Sequence, residues 1–395
     1  MKGQAKLKEG LYFIHGYYMR DYDNANVKEI SRNQMILMKD SMDNVYDIDA
    51  YDVNLWEANM ENRIPQGEFV YYNGQNFMSA ENNPTSIVYK ELNKQLVSSI
   101  GYENYGNQPD EISDNILNVH SYHVNVGHGN CSIIVFSNNG KYNIWMVDCS
   151  VYDFTNKRNY CSNLDACIEN IKDEFSVDKI SKLLVTHLHY DHINGIEHMI
   201  RRGWIDKDTE VWMNIHYPWA QPTYNRILLE LKGLGVKFID PIVGNSSQHI
   251  KILYPNVSFN KKNRAPENNI NNASVLYQVC LAGKSMLFTG DIETEGWENV
   301  KLCYTYLNNS TYYCVSHHGS ITGHFRSNCV VPHRYINTLA DCADSTKLQI
   351  LMGRNGAYRG IFSKRVISEF HELLKTDDAK QYIKIRWASD EYEVC

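Results

Sequence analysis

Val185-Thr-His-Leu-His-Tyr-Asp-His-Ile-Asn-Gly195 places three imidazoles and a carboxylate within six consecutive residues, directly after an apolar run. Leu183, Leu184 and Val185 read as the end of a buried strand, and Ile193 to Arg201 reads as a helix stopped by Gly203. The histidines then occupy a strand-to-helix turn. In an extended stretch, side chains two apart project to the same side, so His187 and His189 address one ion. Asp191 and His192 fall one step further on and reach a second ion beside the first. Four ligand-type residues at His-x-His-x-Asp-His spacing mark a metal site; the bland alternative is a polar loop that happens to be rich in histidine.

With 395 residues the chain is long enough for two domains and a large core. A formal charge of -7 excludes a protein that coats nucleic acid through a global basic field and leaves room only for a local basic cleft. The ten cysteines run from Cys131 to Cys395 without a Cys-x-x-Cys pair, which suits neither a disulfide framework nor a zinc ribbon. A reducing cytoplasm is the expected location. The start of the chain lacks a long apolar run and no segment approaches eighteen apolar residues, so a soluble protein without a membrane partner is expected.

Residues 1–114 are rich in Tyr, Asn and Asp, with strand-like stretches at Leu11-Tyr-Phe-Ile14 and Glu68-Phe-Val-Tyr-Tyr72. Ser86 to Ser99 reads as a helix whose apolar residues Ile87, Val88, Leu92 and Leu96 share roughly one face, available to dock on the rest of the chain. His15, the one histidine of this region, reads as structural rather than as a ligand. Tyr102 to Asp114 reads as a linker. The expected organisation is an N-terminal domain over 1–114, selecting substrate or recruiting a protein partner, followed by a domain over 115–395.

In the second part, Tyr122 to Phe136 alternates into and out of a glycine-bracketed turn and reads as a hairpin. Gly127 and Gly129 permit a tight turn around His128 and a close backbone approach to a ligand; a plain hairpin turn fits equally. Ile144 to Asp148 reads as a strand ending in a carboxylate. Asp148 there can orient a metal-binding histidine from behind, or simply be solvated. The strand Ser285–Thr289 runs into Gly290-Asp291, where a carboxylate can bridge two cations. Tyr312 to Ser320 reads as a short strand ending in His317 and His318, whose side chains project oppositely if the segment is extended.

Val124-Asn-Val-Gly-His-Gly-Asn130, Asp148, His187-x-His-x-Asp-His192, Phe288-Thr-Gly-Asp291 and His317-His-Gly-Ser320 together resemble the metallo-β-lactamase fold, and within it the hydrolases similar to the catalytic domain of the competence protein ComEC. The resemblance covers about 119 to 395. It implies a mixed α/β (α+β), four-layer αββα sandwich with a dinuclear site along one edge of two facing sheets. It also implies that Asp291 is the bridging ligand and that one of His317 and His318 holds the second ion; the opposed projection of the two assigns His317 to the metal and His318 to substrate phosphate. The expected ligands are therefore His187, His189 and Asp291 for one ion, and Asp191, His192, His317 and Asp291 for the other. Asp191, His318 and His128 are the expected catalytic groups.

Two departures from the pattern matter. Many members place a further histidine where this chain has Asn271 and Asn272; an amide oxygen at Asn272 is the weaker donor and shifts preference from zinc toward a harder ion such as manganese. A usual Gly-His-Pro is replaced by Gly360-Ile-Phe362. Nearby, Ser363 reads as the cap of a helix whose apolar face runs from Val366 to Leu374, and Arg354, Arg359 and Lys364 beside it offer a phosphate contact or an ordinary surface turn. The expected function is a metallo-hydrolase, foremost a phosphodiesterase or nuclease acting on nucleic acid or an oligonucleotide through a hydroxide held between two cations. Hydrolysis of a carboxylic ester, thioester or amide on the same site is the alternative, and a metal-binding interaction protein without catalysis a further one.

Overall fold

The computed structural model describes residues 9–19, 33–39, 52–57, 67–103, 112, 115–257, 270–293, 296–297, 299–300, 310–324, 347–358, 360–368, 370 and 372–395, with the backbone alone described at 16–19, 33–39 and 52–57. Arg359 and most of the stretch read as a linker lie outside the described residues.

Two sheets carry the second part of the chain. In the nine-stranded sheet the order is Glu391–Val394, Tyr382–Arg386, Ile116–Val124, Cys131–Asn138, Lys141–Cys149, Ile180–Leu184, Glu210–Trp212, Lys237–Ile239 and Tyr102–Glu103. The six-stranded sheet runs Ile250–Tyr254, Leu276–Leu281, Lys284–Phe288, Tyr312–Cys314, Leu348–Leu351 and Leu373–Lys375. Alternation along the strands decides the layers. Ile134, Phe136, Trp145 and Val147 share one buried cluster with Tyr277, Val279, Met286 and Ile350 of the other sheet. The intervening Ile133, Val135, Ile144 and Met146 face the other way and share their cluster with Leu164, Ile168 and Ile171 of the helix Cys161–Phe175. A strand whose two faces are both covered reads as a continuous apolar run, as Cys131–Phe136 does. The result is a mixed α/β sandwich, as the motifs imply.

Strands Lys141–Cys149 and Ile180–Leu184 are parallel, and so are Lys284–Phe288, Tyr312–Cys314 and Leu348–Leu351. Their C-terminal ends therefore open on shared edges, and Asp148, His187, Asp291, His317 and His318 all follow such ends. The helix read over Ile193–Arg201 is split into Tyr190–Ile193 and Ile196–Arg201. The cause is Asn194, whose Oδ1 accepts from the Val151 and Tyr152 amides at 2.8 and 3.0 Å while Gly195 N donates to Cys149 O at 2.8 Å. The helix expected after Ser363 is also shorter: it spans Lys364–Ile367, and Leu373–Lys375 is instead an edge strand on Leu348–Leu351. Pairing with an open sheet edge overrides the helical spacing there.

The first part forms a five-stranded sheet, Asp52–Glu57, Asn33–Lys39, Gly10–Met19, Phe69–Tyr72 and Phe77–Ser79, followed by the helix Pro84–Ser99. Asn83 caps that helix by accepting from Thr85 N, and Pro84 suits its first turn. Its inward stripe is in part the one expected: Leu96 is buried and Leu92 packs against the core, but Ile87 and Val88 are exposed, and Ser86 and Asn93 are buried in their stead. Asn93 decides this. Its Nδ2 donates to Oδ1 of Asn225 at 2.8 Å, and Asn225 donates in turn to Tyr89 O at 3.1 Å, which locks the helix onto Pro222–Leu234. Among the described residues no helix is long and apolar enough to cross a membrane.

Asn93→Ala should lower stability by about 1–3 kcal/mol, because it leaves the buried Asn225 oxygen without its donor. Val88→Ala should stay within about 0.5 kcal/mol as an exposed substitution. Urea midpoints compare the two, and the reverse order would mean that the helix presents its aliphatic face inward.

Candidate metal centre

Asp148 ends its strand at φ 53°, and that left-handed turn points its carboxylate across to the neighbouring strand end. Oδ1 accepts from Thr186 N and Oδ2 from Thr186 Oγ1, each at 2.7 Å, and Oδ2 also accepts from Nδ1 of His192 at 2.8 Å. The His192 proton therefore sits on Nδ1, and Nε2 is left with its lone pair. That Nε2 lies 3.3 Å from Oδ1 of Asp291 and makes no hydrogen bond.

The same arrangement recurs around the cluster. His318 gives its Nδ1 proton to Met352 O at 3.0 Å, turning Nε2 toward Oδ2 of Asp191 at 3.2 Å and Oδ2 of Asp291 at 3.4 Å. His189 gives its Nε2 proton to His15 O at 3.1 Å, which frees Nδ1. His187 has Nε2 buried and without a hydrogen-bond partner, 4.0 Å from Oδ2 of Asp291. Donor atoms of Asp191, His192, Asp291 and His318 all lie within 4.8 Å of one another, and so do those of His187, His189 and Asp291. Imidazoles that donate one nitrogen to an oxygen and turn the other toward carboxylates are arranged as metal ligands are.

Whether the residues fit divalent ions is tested by three atoms. His187 Nε2, His192 Nε2 and Asp291 Oδ1 are buried without a hydrogen-bond partner, and all three face Asp291 or belong to it. Polar atoms left unsatisfied in a dry interior are costly, and a cation among them satisfies all three at once. The donor set, imidazole nitrogen with carboxylate oxygen, suits zinc and tolerates manganese. The residues fit.

The electrostatics agree. Burial would lower His192, but Asp291, Asp148 and Asp191 outweigh it and hold the imidazole well above its usual range. His318 likewise, with burial opposed by Asp291 and Asp191, is held up at about 10. Burial pushes Asp191 up, yet His192, His128 and His318 hold it well below the usual carboxylate range, and Asp291 behaves alike under His318, His192 and His317. His189 is pushed down to about 4, chiefly by burial. Without a cation the carboxylates keep protons on the imidazoles; a divalent ion replaces those protons.

His317 and His318 are not on an extended segment. Residues Ser316–Gly319 form a 3-10 turn with φ 47° at His317 and 49° at His318, so the expected opposed projection does not hold. Both rings turn toward Asp291, with Nε2 to Oδ2 distances of 3.8 Å for His317 and 3.4 Å for His318. It is His318 that joins Asp191 and His192 in the donor cluster. His317 is held on Nδ1 by Glu293 at 3.1 Å and Thr322 at 3.2 Å, and its ring is the more open of the pair, 12% exposed against 2%. Burial lowers it while Asp291 and Glu293 raise it, for a net upward shift.

His128 lies in the site: its Nε2 donates to Oδ2 of Asp191 at 3.2 Å, and its ring sits 4.3 Å from that of His318 and 4.6 Å from that of Tyr358. Gly129 makes the approach possible, since at φ 147° a Cβ would stand 2.6 Å from Asp191 O. Asn272 points elsewhere: its Oδ1 accepts from the Glu293 and Gly296 amides, each at 3.1 Å, and holds the turn after Asp291. Arg354 is engaged by Asp153, Nε to Oδ2 2.6 Å, and Lys364 is exposed at the start of its short helix. His216 packs at a tilt against Tyr102, ring centroids 4.8 Å apart, and is in none of the donor clusters among the described residues. Reading the sequence gave no role to Glu293 or Thr186, and read His15 as structural without placing it beside the cluster. Thr186 and Glu293 flank ligand-type residues, which was their signal.

Residues 124–299 match the profile of the Metallo-beta-lactamase superfamily. The match takes in His128, Asp148, His187–His192 and Asp291 and stops before His317. No curated protein matches. Among solved structures, the chain is similar to the metallo-beta-lactamase fold protein YhfI from Bacillus subtilis, at 10% identity over 65% of this chain and 95% of that one, TM-score 0.33. It is also similar to a diphosphatase from the PhnP family, at 11% identity over 66% of this chain and 88% of that one, TM-score 0.30.

Asp148→Asn should weaken binding of zinc by about 10–100-fold, because an amide N–H₂ in place of Oδ2 opposes the Nδ1 proton of His192. Titration against a chelating dye, with circular dichroism as the check on folding, reads this out; wild-type affinity would contradict the role of Asp148.

Proposed function

We propose that the chain is a metal-dependent phosphodiesterase of the ComEC-like branch, cleaving nucleic acid or an oligonucleotide at a centre of two divalent ions, zinc foremost and manganese second. One observation carries this reading: His189, His192 and His318 each give one nitrogen to an oxygen acceptor and turn the other toward Asp191 or Asp291. His187, His189 and Asp291 would hold one ion and Asp191, His192, His318 and Asp291 the other, with Asp291 offering one oxygen to each. Divalent ions bound there would lower the pKa of water and withdraw charge from the scissile group.

The protein's own groups supply the rest. His128 holds the Asp191 carboxylate in place through its Nε2 proton. His317, more open than His318 and held by Glu293, is placed to meet a phosphoryl oxygen or pass a proton from Nε2 to the leaving oxygen. This exchanges the roles that the sequence suggested for the two histidines. We assign residues 115–395 to the hydrolase domain. A reducing compartment such as the cytoplasm suits the free cysteines among the described residues, including the buried Cys131 and Cys149.

One competing reading has observations of its own. Phe154 and Tyr358 stand beside His128, and Arg354 is taken up by Asp153, so the surroundings offer aromatic surface more readily than a free guanidinium. That favours a carboxylic ester, thioester or amide as substrate. A paired assay on metal-reconstituted protein separates the two. Cleavage of bis(p-nitrophenyl) phosphate should exceed that of p-nitrophenyl acetate. Asp191→Ala and His192→Ala should each lower it by more than about 100-fold, beyond the cost of losing a supporting contact, while His216→Ala leaves it unchanged. Cleavage of the acetate alone would transfer the site to carboxylic esters.

A further inference from the structure

Strand Gly10–Met19 belongs to the first part of the chain, yet its His15 lies against the metal centre. Its pairing with Asn33–Lys39 slips between Ile14 and Gly16: Ile14 faces Leu37, Gly16 faces Ile36, and His15 is the extra residue of a β-bulge. A bulge residue drops out of the ladder, and bulges beside active sites commonly aim one residue away from its sheet. The residue before it is firmly fixed, because Ile14 N donates to Glu68 O and Gly67 N donates to Ile14 O, each at 2.9 Å. His15 is thereby directed at the turn that holds the histidine cluster.

Both halves of His15 meet that turn. Its carbonyl accepts the Nε2 proton of His189 at 3.1 Å, and its ring Nε2 accepts from Tyr190 N at 3.3 Å. The rings of His15 and His189 lie 4.4 Å apart, with Trp219 5.8 Å and Phe154 6.5 Å from His15. Counting protons assigns the roles. His189 must carry its proton on Nε2 to serve a carbonyl, so its lone pair is on Nδ1. His15 accepts an amide proton at Nε2, so its own proton is on Nδ1, which is buried without a hydrogen-bond partner, and a neutral ring with Nε2 engaged has no second lone pair for an ion. Although the donor atoms of His15, His189 and Asp191 lie within 4.8 Å of one another, His15 is thus a support and not a ligand.

We propose that His15 is a positioning residue of the metal centre: its carbonyl fixes the tautomer of His189, and its ring anchors the backbone at Tyr190. The first part of the chain therefore completes the hydrolase site instead of acting apart from it. The inference rests on the metal reading above. Ligand histidines held on their far nitrogen lose about 10–100-fold in metal affinity when that support is removed.

The test uses the full-length chain, zinc titrated in competition with a chelating dye, and cobalt(II) absorption as a signature of ligand geometry. His15→Phe keeps the carbonyl and an aromatic ring beside His189 but cannot accept from Tyr190 N; through the loss of that anchor it should weaken one bound ion about 10-fold and alter the cobalt spectrum. His15→Gln, with an oxygen near the position of Nε2, should bind as wild type does. Wild-type binding by His15→Phe would overturn the proposal. Should that variant not fold, nitrogen-15 NMR of the zinc-loaded wild type decides: a proton on Nε2 of His189 supports the proposal, and a proton on its Nδ1 overturns it. A wild-type chain that binds no ion would instead remove the metal reading, and this inference with it.

Discussion

The carboxylate of Asp148 accepts three hydrogen bonds from one turn, two from Thr186 and one from His192, and the centre depends on this. The strands that end at Asp148 and at Leu184 are parallel neighbours, so the sheet itself sets the distance between carboxylate and turn. The positive φ of Asp148 then aims the group sideways instead of along the strand. A buried carboxylate is tolerable only when its oxygens are satisfied, and each bond to a charged acceptor contributes about 1.5–3 kcal/mol. Fixing Thr186 and His192 together leaves the intervening His187, His189 and Asp191 little freedom to face elsewhere.

From that anchor the centre grows by repetition of one device. His192 is held by a carboxylate, His318 by the carbonyl of Met352, and His189 by the carbonyl of His15. The acceptors come from both sheets of the sandwich and from the N-terminal sheet. Asp291, on the second sheet, stands within 4.0 Å of His187, His192, His317 and His318. Such a concentration of buried carboxylate charge against imidazoles is stable when protons or cations occupy it, and the second of these makes it chemically useful.

The sequence was most informative where local pattern and burial coincide. His187 to His192, Asp148 and Asp291 stand out in the sequence because each lies at or after the end of an apolar strand, and the sandwich was implied by the family resemblance of the motifs taken together, with the alternation of strands and helices in keeping with it. His318 was misread because the argument assumed an extended segment, whereas His317 and His318 both adopt left-handed backbone that only the tertiary turn enforces. The inward face of Pro84–Ser99 was read correctly at Leu92 and Leu96 but not at Ile87 and Val88, because Asn93 and Asn225 satisfy each other across a distance in sequence that no periodicity reports. His15 was set aside as a structural histidine because it is the one histidine of residues 1–114. Its signal was the glycine after it: Ile14-His15-Gly16 inside a strand pattern marks a bulge or a close backbone approach.

Crystals of the zinc-loaded protein, measured on either side of the zinc absorption edge, test the central claim most directly. The account predicts two anomalous peaks flanking Asp291, one bonded to His187 and to Nδ1 of His189, the other to Asp191 and to Nε2 of His192 and His318. Peaks bonded to nitrogens that here serve Asp148, Met352 or His15, or no peak beside Asp291, would contradict it.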